Sequence, residues 1–229
     1  MMHIEYEDNH IIIVSKRSGE IVQGDKTGDK PLSESVKAYL KEAYAKHGNV
    51  FLGVVHRLDR PVEGLVVFAK TSKALSRLNE MFRTGAVRKT YWAITKNRPT
   101  TPEGTLIHWL VRNEKQNKSY AYDHEVPHSK KAELQYRIIA QGDRYTLLAI
   151  KLLTGRHHQI RCQLSHIGCP IKGDLKYGAP RSNPDGSISL LARHIAFTHP
   201  VSKELVSVTA PLPDDTLWTV LAAGISKEE

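Results

Sequence analysis

Residues 56–70 read His-Arg-Leu-Asp-Arg-Pro-Val-Glu-Gly-Leu-Val-Val-Phe-Ala-Lys. In this stretch Asp59 stands between two arginines, directly before a loop that holds Pro61 and Gly64. A carboxylate near fixed cations tends to stay ionised, which suits a nucleophile or a base. Proline presets one backbone angle and glycine permits unusual ones, so the loop can present Asp59 in one orientation. The apolar residues 65–69 then predict a strand. The same composition also fits an exposed salt-bridge loop.

The order of residues in this stretch resembles the central motif of the RluA-type pseudouridine synthases, which isomerise uridine in ribosomal and transfer RNA. The family pattern is His-Arg-Leu-Asp, two variable residues, Thr-Ser-Gly, an apolar strand and Ala-Lys. The chain matches it at residues 56–59, at Gly64 and at residues 69–70. Val62 and Glu63 replace the Thr-Ser pair, which leaves the expected nucleophile intact but removes the hydroxyl groups usual in this loop.

Two strands are predicted near the start of the chain, on either side of a turn at Asp8-Asn9. Residues 16–22 follow them and resemble the family's first motif, Lys-Pro-x-Gly-x-x-Val, with Arg17 in place of proline. Because this motif lies within the opening residues, we expect no RNA-binding module ahead of it. The prediction is one catalytic domain over residues 1–229.

A further match lies in residues 88–94, an expected strand. It resembles the family's Lys-x-Tyr-x-Ala motif through Lys89, Tyr91 and Ala93. A tyrosine on a strand usually packs half-buried. Beside a base that has left its stack, a tyrosine can instead cover the ring and move a proton. The motif favours this second interpretation for Tyr91.

The longest match runs from Thr154 to Gly178. It resembles the family's third motif, Thr-Gly-Arg-x-His-Gln-Ile-Arg through Gly-x-Pro-Ile-x-Gly-Asp-x-x-Tyr-Gly, with His157 in the variable position. A helix is predicted from His157 to about Ile167, ended by Gly168.

The remaining segments carry weaker signals. Amphipathic helices are predicted from Ser33 to about residue 46 and from Ser72 to Gly85, with the two serines as N-caps. Residues 132–140 and 145–152 predict an antiparallel hairpin. The polar stretch 112–131 fits an RNA-facing hairpin tip as well as an ordinary solvated insertion.

Composition favours a polyanionic partner, because 33 lysines and arginines against 24 acidic residues give a formal net charge of +9. No segment of the sequence is long and apolar enough to span a bilayer, and no signal-peptide core follows Met1. Cys162 and Cys169 offer no disulfide framework. We therefore expect a cytoplasmic protein without a membrane partner, and we expect it to be a monomer.

The resemblance implies an α+β protein, with a largely antiparallel bifurcated sheet, flanking helices and a central catalytic cleft. It implies conversion of a uridine in structured ribosomal or transfer RNA to pseudouridine, with no cofactor and no metal. By the same resemblance Asp59 is the nucleophile or base, Arg156 pairs with it and Tyr91 stacks on the base. RNA contacts are expected from His56, Arg57, Lys89 and His158, and apolar walls from Ile160 and Leu164.

Two other functions stay open on the same fold. A catalytically silent RNA-binding or ribosome-assembly factor would fit the departures at Arg17 and at Val62-Glu63. The presence of Asp59, Tyr91 and Arg156 together argues against it, because binding alone needs no such trio. Activity on a free nucleoside is disfavoured by the high positive charge.

Residue spacing raises two other chemistries, a zinc site and a glycosidase pair. His158, Cys162 and His166 would share one helix face, near His157 and Cys169, and cysteine with histidine can bind zinc. No second ligand pair follows them, which argues against a structural zinc site. Asp59 and Glu63 could act as the two carboxylates of a glycosidase, but the family pattern has no acid at the position of Glu63.

Overall fold

The structure is a computed structural model that describes residues 2–225. These residues form four α-helices: α1 (Leu32–Ala43), α2 (Ser72–Thr84), α3 (Gln159–His166) and α4 (Thr216–Ala222). The strands are β1 (His3–Glu7), β2 (Ile11–Lys16), β3 (Gly53–Val54), β4 (Glu63–Ala69), β5 (Arg88–Thr95), β6 (Glu103–Asn113), β7 (Lys118–Tyr122), β8 (Lys130–Gln141), β9 (Thr146–Leu152), β10 (Leu190–Thr198) and β11 (Leu205–Thr209). The chain divides into two compact units, residues 2–88 with Ala192–Pro211, and Lys89–Leu191 with residues 212–225.

In the first unit the strand order is β1-β2-β4-β10, with β3 also paired to β4 and β11 to β10. Strands β2 and β4 are almost wholly buried, which explains their unbroken apolar runs. They pair antiparallel from Ile11 opposite Ala69 to Lys16 opposite Gly64. This register brings the lysine of the first motif beside the glycine of the central motif.

In the second unit the strand order is β5-β9-β8-β6-β7, and every pair with a defined register is antiparallel. The hairpin predicted over residues 132–152 is confirmed as β8 and β9. The stretch 112–131 contains the turn between β6 and β7, so the predicted hairpin is present there too. Helix α3 packs on β6 and β7, and α4 packs on β8 and β9.

The α+β class and the largely antiparallel sheet are confirmed by these elements. None of the helices formed by residues 2–225 has the length and apolarity that crossing a membrane requires.

Two predicted N-caps were wrong by one or two positions. Pro31, not Ser33, precedes α1. Its backbone is extended, which is the conformation usual at the residue before a helix and is compatible with the fixed φ of proline. Thr71, not Ser72, caps α2, and its side-chain oxygen accepts a hydrogen bond from the backbone of Ala74 at 3.2 Å. Helix α1 also ends at Ala43, three residues earlier than predicted.

Candidate active site

The Asp59 loop, residues 59–62, is a tight turn directly before β4. The backbone nitrogen of Val62 donates to the carbonyl of Asp59 at 3.0 Å. The carbonyl of Arg60 accepts from the backbone nitrogen of Gly19 at 2.9 Å. Asp59 itself is half-buried. Asp59 therefore begins a short turn that is held by one hydrogen bond within itself and by another from the first motif.

A buried cation supports this turn. The Lys16 side chain is only 1% exposed, and its Nζ donates to the carbonyls of Arg17 at 2.9 Å, Arg60 at 3.0 Å and Val62 at 2.6 Å. Two of these acceptors belong to the Asp59 loop. Our sequence analysis gave Lys16 no role, although its place in the first motif was the available signal.

Two opposing effects act on the pKa of Lys16. Burial lowers the pKa of its ammonium group from 10.5 to about 8, while the carboxylates of Glu20, Glu63 and Asp59 act in the opposite direction. The turn therefore rests on a cation that is charged near neutral pH at a considerable cost in desolvation.

Glu63 and Gly64 occupy the end of the loop, where the sequence departs from and then rejoins the family pattern. The Glu63 carboxylate accepts a hydrogen bond from the backbone nitrogen of Ser18 at 3.2 Å. Gly64 has φ of +114°, and a Cβ there would lie 2.4 Å from the carbonyl oxygen of Ala192. Only glycine fits this position, for both reasons.

His56 and Arg57 begin the central motif, and they face different surroundings. His56 Nε2 accepts from the backbone nitrogen of Val67 at 3.0 Å, and its ring stacks on Phe82 with 4.7 Å between centroids. Arg57 is exposed and makes no hydrogen bond or ion pair with any of residues 2–225. The structure thus gives His56 an anchoring role and leaves Arg57 available, while RNA contact by either stays a prediction.

In the second unit, two motifs converge at the start of β5. Tyr91 lies opposite Ile150 of β9 and is 8% exposed. Lys89 is half-buried, and burial lowers the pKa of its side chain. Its Nζ lies 3.9 Å from the place where a Cβ on Gly155 would stand. Lys89 is therefore next to the loop that opens the third motif.

That loop, residues 154–156, is organised by one buried amide. The Gln159 side-chain oxygen accepts from the Thr154 hydroxyl at 2.8 Å and from the backbone nitrogen of Arg156 at 3.0 Å. Its amide nitrogen donates to the carbonyl of Glu133 at 3.1 Å. The Arg156 side chain is exposed, and its Nε donates to the carbonyl of Lys131 at 3.0 Å. The predicted pairing of Arg156 with Asp59 stays a prediction.

Several side-chain contacts in the rest of the third motif join residues of the motif to one another. Arg161 and Asp174 form a bidentate buried ion pair, at 2.7 and 2.9 Å. His158 Nδ1 lies 2.9 Å from the hydroxyl of Tyr177, which also accepts a hydrogen bond from the backbone of Ser119. The Tyr177 hydroxyl is therefore fixed between His158 and the backbone of Ser119. These contacts explain why a long sequence pattern specifies this region.

His158, Ile160 and Leu164, all expected to meet RNA or the base, lie in the interior. His158 is 8% exposed, and burial, followed by nearby positive charges, lowers its pKa to about 2, so its ring is neutral. Ile160 is 5% exposed and Leu164 is fully buried. The structure thus places these side chains in the packing of α3, and their contact with substrate stays a prediction.

The helix face considered for zinc does not converge on one point. His158 is bonded to Tyr177, whereas the Cys162 thiol lies 3.3 Å from the carbonyl of Ser119. His166 Nε2 lies 2.8 Å from Asp123. Burial raises the pKa of Cys162 to about 12, so its thiol stays protonated, unlike a zinc ligand.

Solved structures resemble this fold closely. The chain superposes on the structure titled Human RNA Pseudouridylate Synthase Domain Containing 4 with a TM-score of 0.79, over 96% of this chain and 92% of the other, at 23% identity. A second human structure, RNA Pseudouridylate Synthase Domain Containing 1, gives a TM-score of 0.70 at 19% identity, over 99% of this chain and 96% of the other. The fold is therefore that of the pseudouridine synthases.

Sequence comparison narrows this to one family. Residues 10–166 match the family described as RNA pseudouridylate synthase. The chain is 30% identical to the uncharacterized RNA pseudouridine synthase YlyB of Bacillus subtilis, over 93% of this chain and 70% of that protein. It is 33% identical to ribosomal large subunit pseudouridine synthase D of Pseudomonas aeruginosa, over 95% of this chain and 70% of that protein. The chain belongs to the RluA-type RNA pseudouridine synthases, a family of RNA-modifying isomerases, and the resemblance found in the sequence is confirmed.

Proposed function

We propose that this protein converts uridine in structured ribosomal or transfer RNA to pseudouridine, with Asp59 as the nucleophile or base. One observation carries the choice of Asp59. It is the acid of the central motif, and buried Lys16 holds two carbonyls of the turn that Asp59 begins. A catalytic group must be fixed to well under an ångström by its surroundings, and this clamp is suited to that task.

The reaction needs only groups that the protein and the substrate supply. The bond from ribose C1′ to N1 of uracil breaks, the base turns and a bond forms from C1′ to C5. The C5 proton leaves and N1 takes up a proton, so the product is an isomer of the substrate. We assign Tyr91 to the face of the base and to proton movement at C5. We assign Arg156 to pairing with Asp59, which would keep that carboxylate ionised. Lys89 would contact the RNA from beside the third motif.

Recognition of RNA is proposed to be largely electrostatic. The net charge is +9, and the exposed side chain of Arg57 stands two residues before Asp59 in the sequence. Bringing a uridine out of its stack costs a few kcal/mol, and phosphate contacts would offset that cost. Relatives named for the large ribosomal subunit make ribosomal RNA the first substrate to test.

We place this activity in the cytoplasm, in a monomeric enzyme. Both cysteines are free and buried, which suits a reducing compartment. Light scattering of the purified protein would test the monomer.

The test of the proposed function is tritium release from RNA labelled at C5 of uridine. The RNA is extracted from cells that lack this gene, so that the target sites are unmodified, and ribosomal and transfer RNA are assayed separately. Forming the bond to C5 must expel the labelled hydrogen. We expect release by the wild-type protein and none by Asp59→Asn. Sequencing of the product would then identify the modified position.

A matched control is Asp143→Asn, which makes the same chemical change in the exposed turn between β8 and β9. It should release tritium at the wild-type rate. Residual turnover by Asp59→Asn would refute the essential role of Asp59 but not the synthase activity of the protein. No release by the wild-type protein from either RNA, with RNA binding intact, would instead support the silent RNA-binding factor.

A further inference from the structure

Three side chains that are far apart in sequence meet beside helix α3, and we call them the His–Asp–His cluster. They are His108 of β6, Asp123 directly after β7, and His166, the last residue of α3. The Asp123 carboxylate oxygen lies 2.8 Å from His166 Nε2 and 3.7 Å from His108 Nε2. The two imidazole rings meet edge to face, with 4.7 Å between centroids. One ligand atom from each residue lies within 4.8 Å of the other two.

We propose that the His–Asp–His cluster is a Zn²⁺ site. Zinc takes imidazole nitrogen and carboxylate oxygen at about 2.0–2.2 Å, which separates the ligand atoms of a tetrahedral site by roughly 3.4 Å. The two separations of 2.8 and 3.7 Å lie on either side of that value, and the ligand nitrogens of the two histidines lie within 4.8 Å of each other, so side-chain rotations would bring the three atoms to that spacing. Two imidazoles with one carboxylate suit zinc better than magnesium or calcium, which prefer oxygen ligands.

A buried amide, that of Gln163, contacts the ring nitrogen of His108 that does not face Asp123. Gln163 is fully buried, and its Nε2 lies 3.0 Å from His108 Nδ1 and also near the carbonyls of Leu106 and Ala132, at 3.2 and 3.4 Å. Two amide hydrogens cannot serve three acceptors fully. The Gln163 side-chain oxygen, in contrast, has no hydrogen-bond partner among residues 2–225.

Zinc at His108 Nε2 would change this contact. When Nε2 of a histidine binds zinc, Nδ1 carries a proton and needs an acceptor. The Gln163 atom that faces Nδ1 is the amide nitrogen, so zinc binding would require the Gln163 side chain to shift.

The site would link two elements of the second unit. Asp123 lies in the segment between β7 and β8, whereas His166 ends the helix whose start carries Gln159. The Asp123 side chain is 79% exposed and that of His166 is 31% exposed, so a fourth position would open to water. Zinc would therefore fasten the segment after β7 to helix α3. This inference concerns stability and does not depend on the proposed reaction.

The experiment uses the full chain after dialysis against a chelator. Zinc binding is measured by calorimetry, cobalt is added as a spectroscopic probe of the coordination, and thermal unfolding is followed with and without zinc. We expect one zinc per chain, a tetrahedral cobalt spectrum and a higher unfolding midpoint with zinc. Asp123→Asn and His166→Asn should each weaken zinc binding at least roughly tenfold, because each removes a ligand that zinc prefers.

The control is His47→Asn, an exposed histidine of the first unit, which should bind zinc like the wild-type protein. Asp123 and His166 are preferred to buried His108 as test positions because their replacement leaves the core intact, and circular dichroism will check that each variant is folded. Absence of saturable zinc binding would overturn the proposal. Equal binding by wild type, Asp123→Asn and His166→Asn would overturn it as well, since the metal would then bind elsewhere.

Discussion

Replacement of Lys16 by methionine tests whether the hydrogen bonds from its ammonium group hold the Asp59 loop in its catalytic position. Methionine keeps most of the apolar stem and removes the ammonium group that donates to the carbonyls of Arg17, Arg60 and Val62. We expect the variant to fold and to bind RNA. We expect its turnover to fall about a hundredfold, because a displacement of roughly 1 Å at a reacting group costs that much.

The pH dependence of the stability of the same variant tests how far burial lowers the pKa of Lys16. The pKa of Lys16 is lowered from 10.5 in the unfolded chain to about 8 in the folded protein. Below pH 8 both states hold the proton, and the folded state bears the full cost, roughly 3 kcal/mol at 1.36 kcal/mol per pH unit. Between pH 8 and 10.5 the unfolded chain binds more protons than the folded protein, so stability rises with pH.

The assay is urea unfolding of wild type and Lys16→Met at pH 7 and pH 9.5. Linkage gives a gain of about 2 kcal/mol for the wild-type protein relative to the variant over that interval. Lys73→Met, at an exposed position of α2, should follow the wild-type protein at both pH values. A difference between wild type and Lys16→Met that does not change with pH would refute the reasoning, since the carbonyl hydrogen bonds would then offset desolvation completely.

Further predictions concern the packing around the site. Gly64→Ala should lower the free energy of unfolding by about 3 kcal/mol or more in urea, because a positive φ costs about 1–2 kcal/mol and the new Cβ overlaps the carbonyl of Ala192. Arg161→Met should cost about 3–5 kcal/mol by leaving Asp174 buried and unpaired, and adding Asp174→Leu should recover part of that loss in a double-mutant cycle. Gln159→Leu should cost about 1–3 kcal/mol in unfolding and also slow tritium release, since it frees the loop at residues 154–156; normal release would separate that loop from catalysis.

Sequence reasoning worked best where one local rule governs a segment. The apolar runs of β2 and β4 could be identified because both strands are buried on both faces. Gly85 was expected to end α2, and it does so in the left-handed conformation that glycine favours. Motif order then identified the family, because the third motif spans many residues.

Contacts between distant residues could not be predicted from local rules. No sequence rule places Lys16 beside Gly64, since that neighbourhood follows from the register of two strands. The zinc interpretation used spacing along one helix, whereas His166 meets Asp123 and His108 from two other elements. Strands β6 and β11 and helix α4 were not predicted either, because their short or mixed patterns give weak periodicity.

The two departures from the family pattern were the support for a silent binding factor, and the structure supplies a local reason for each. Proline at position 17 would have no backbone N–H, whereas Arg17 donates its N–H to the carboxylate of Glu20 at 2.7 Å. The next backbone N–H, that of Ser18, donates to Glu63, the acid that stands where a hydroxyl is usual. Both changes therefore place hydrogen bonds in one stretch of backbone between β2 and the Asp59 loop, a structural role that a synthase and a silent binding factor would share, so tritium release and not these departures must decide between them.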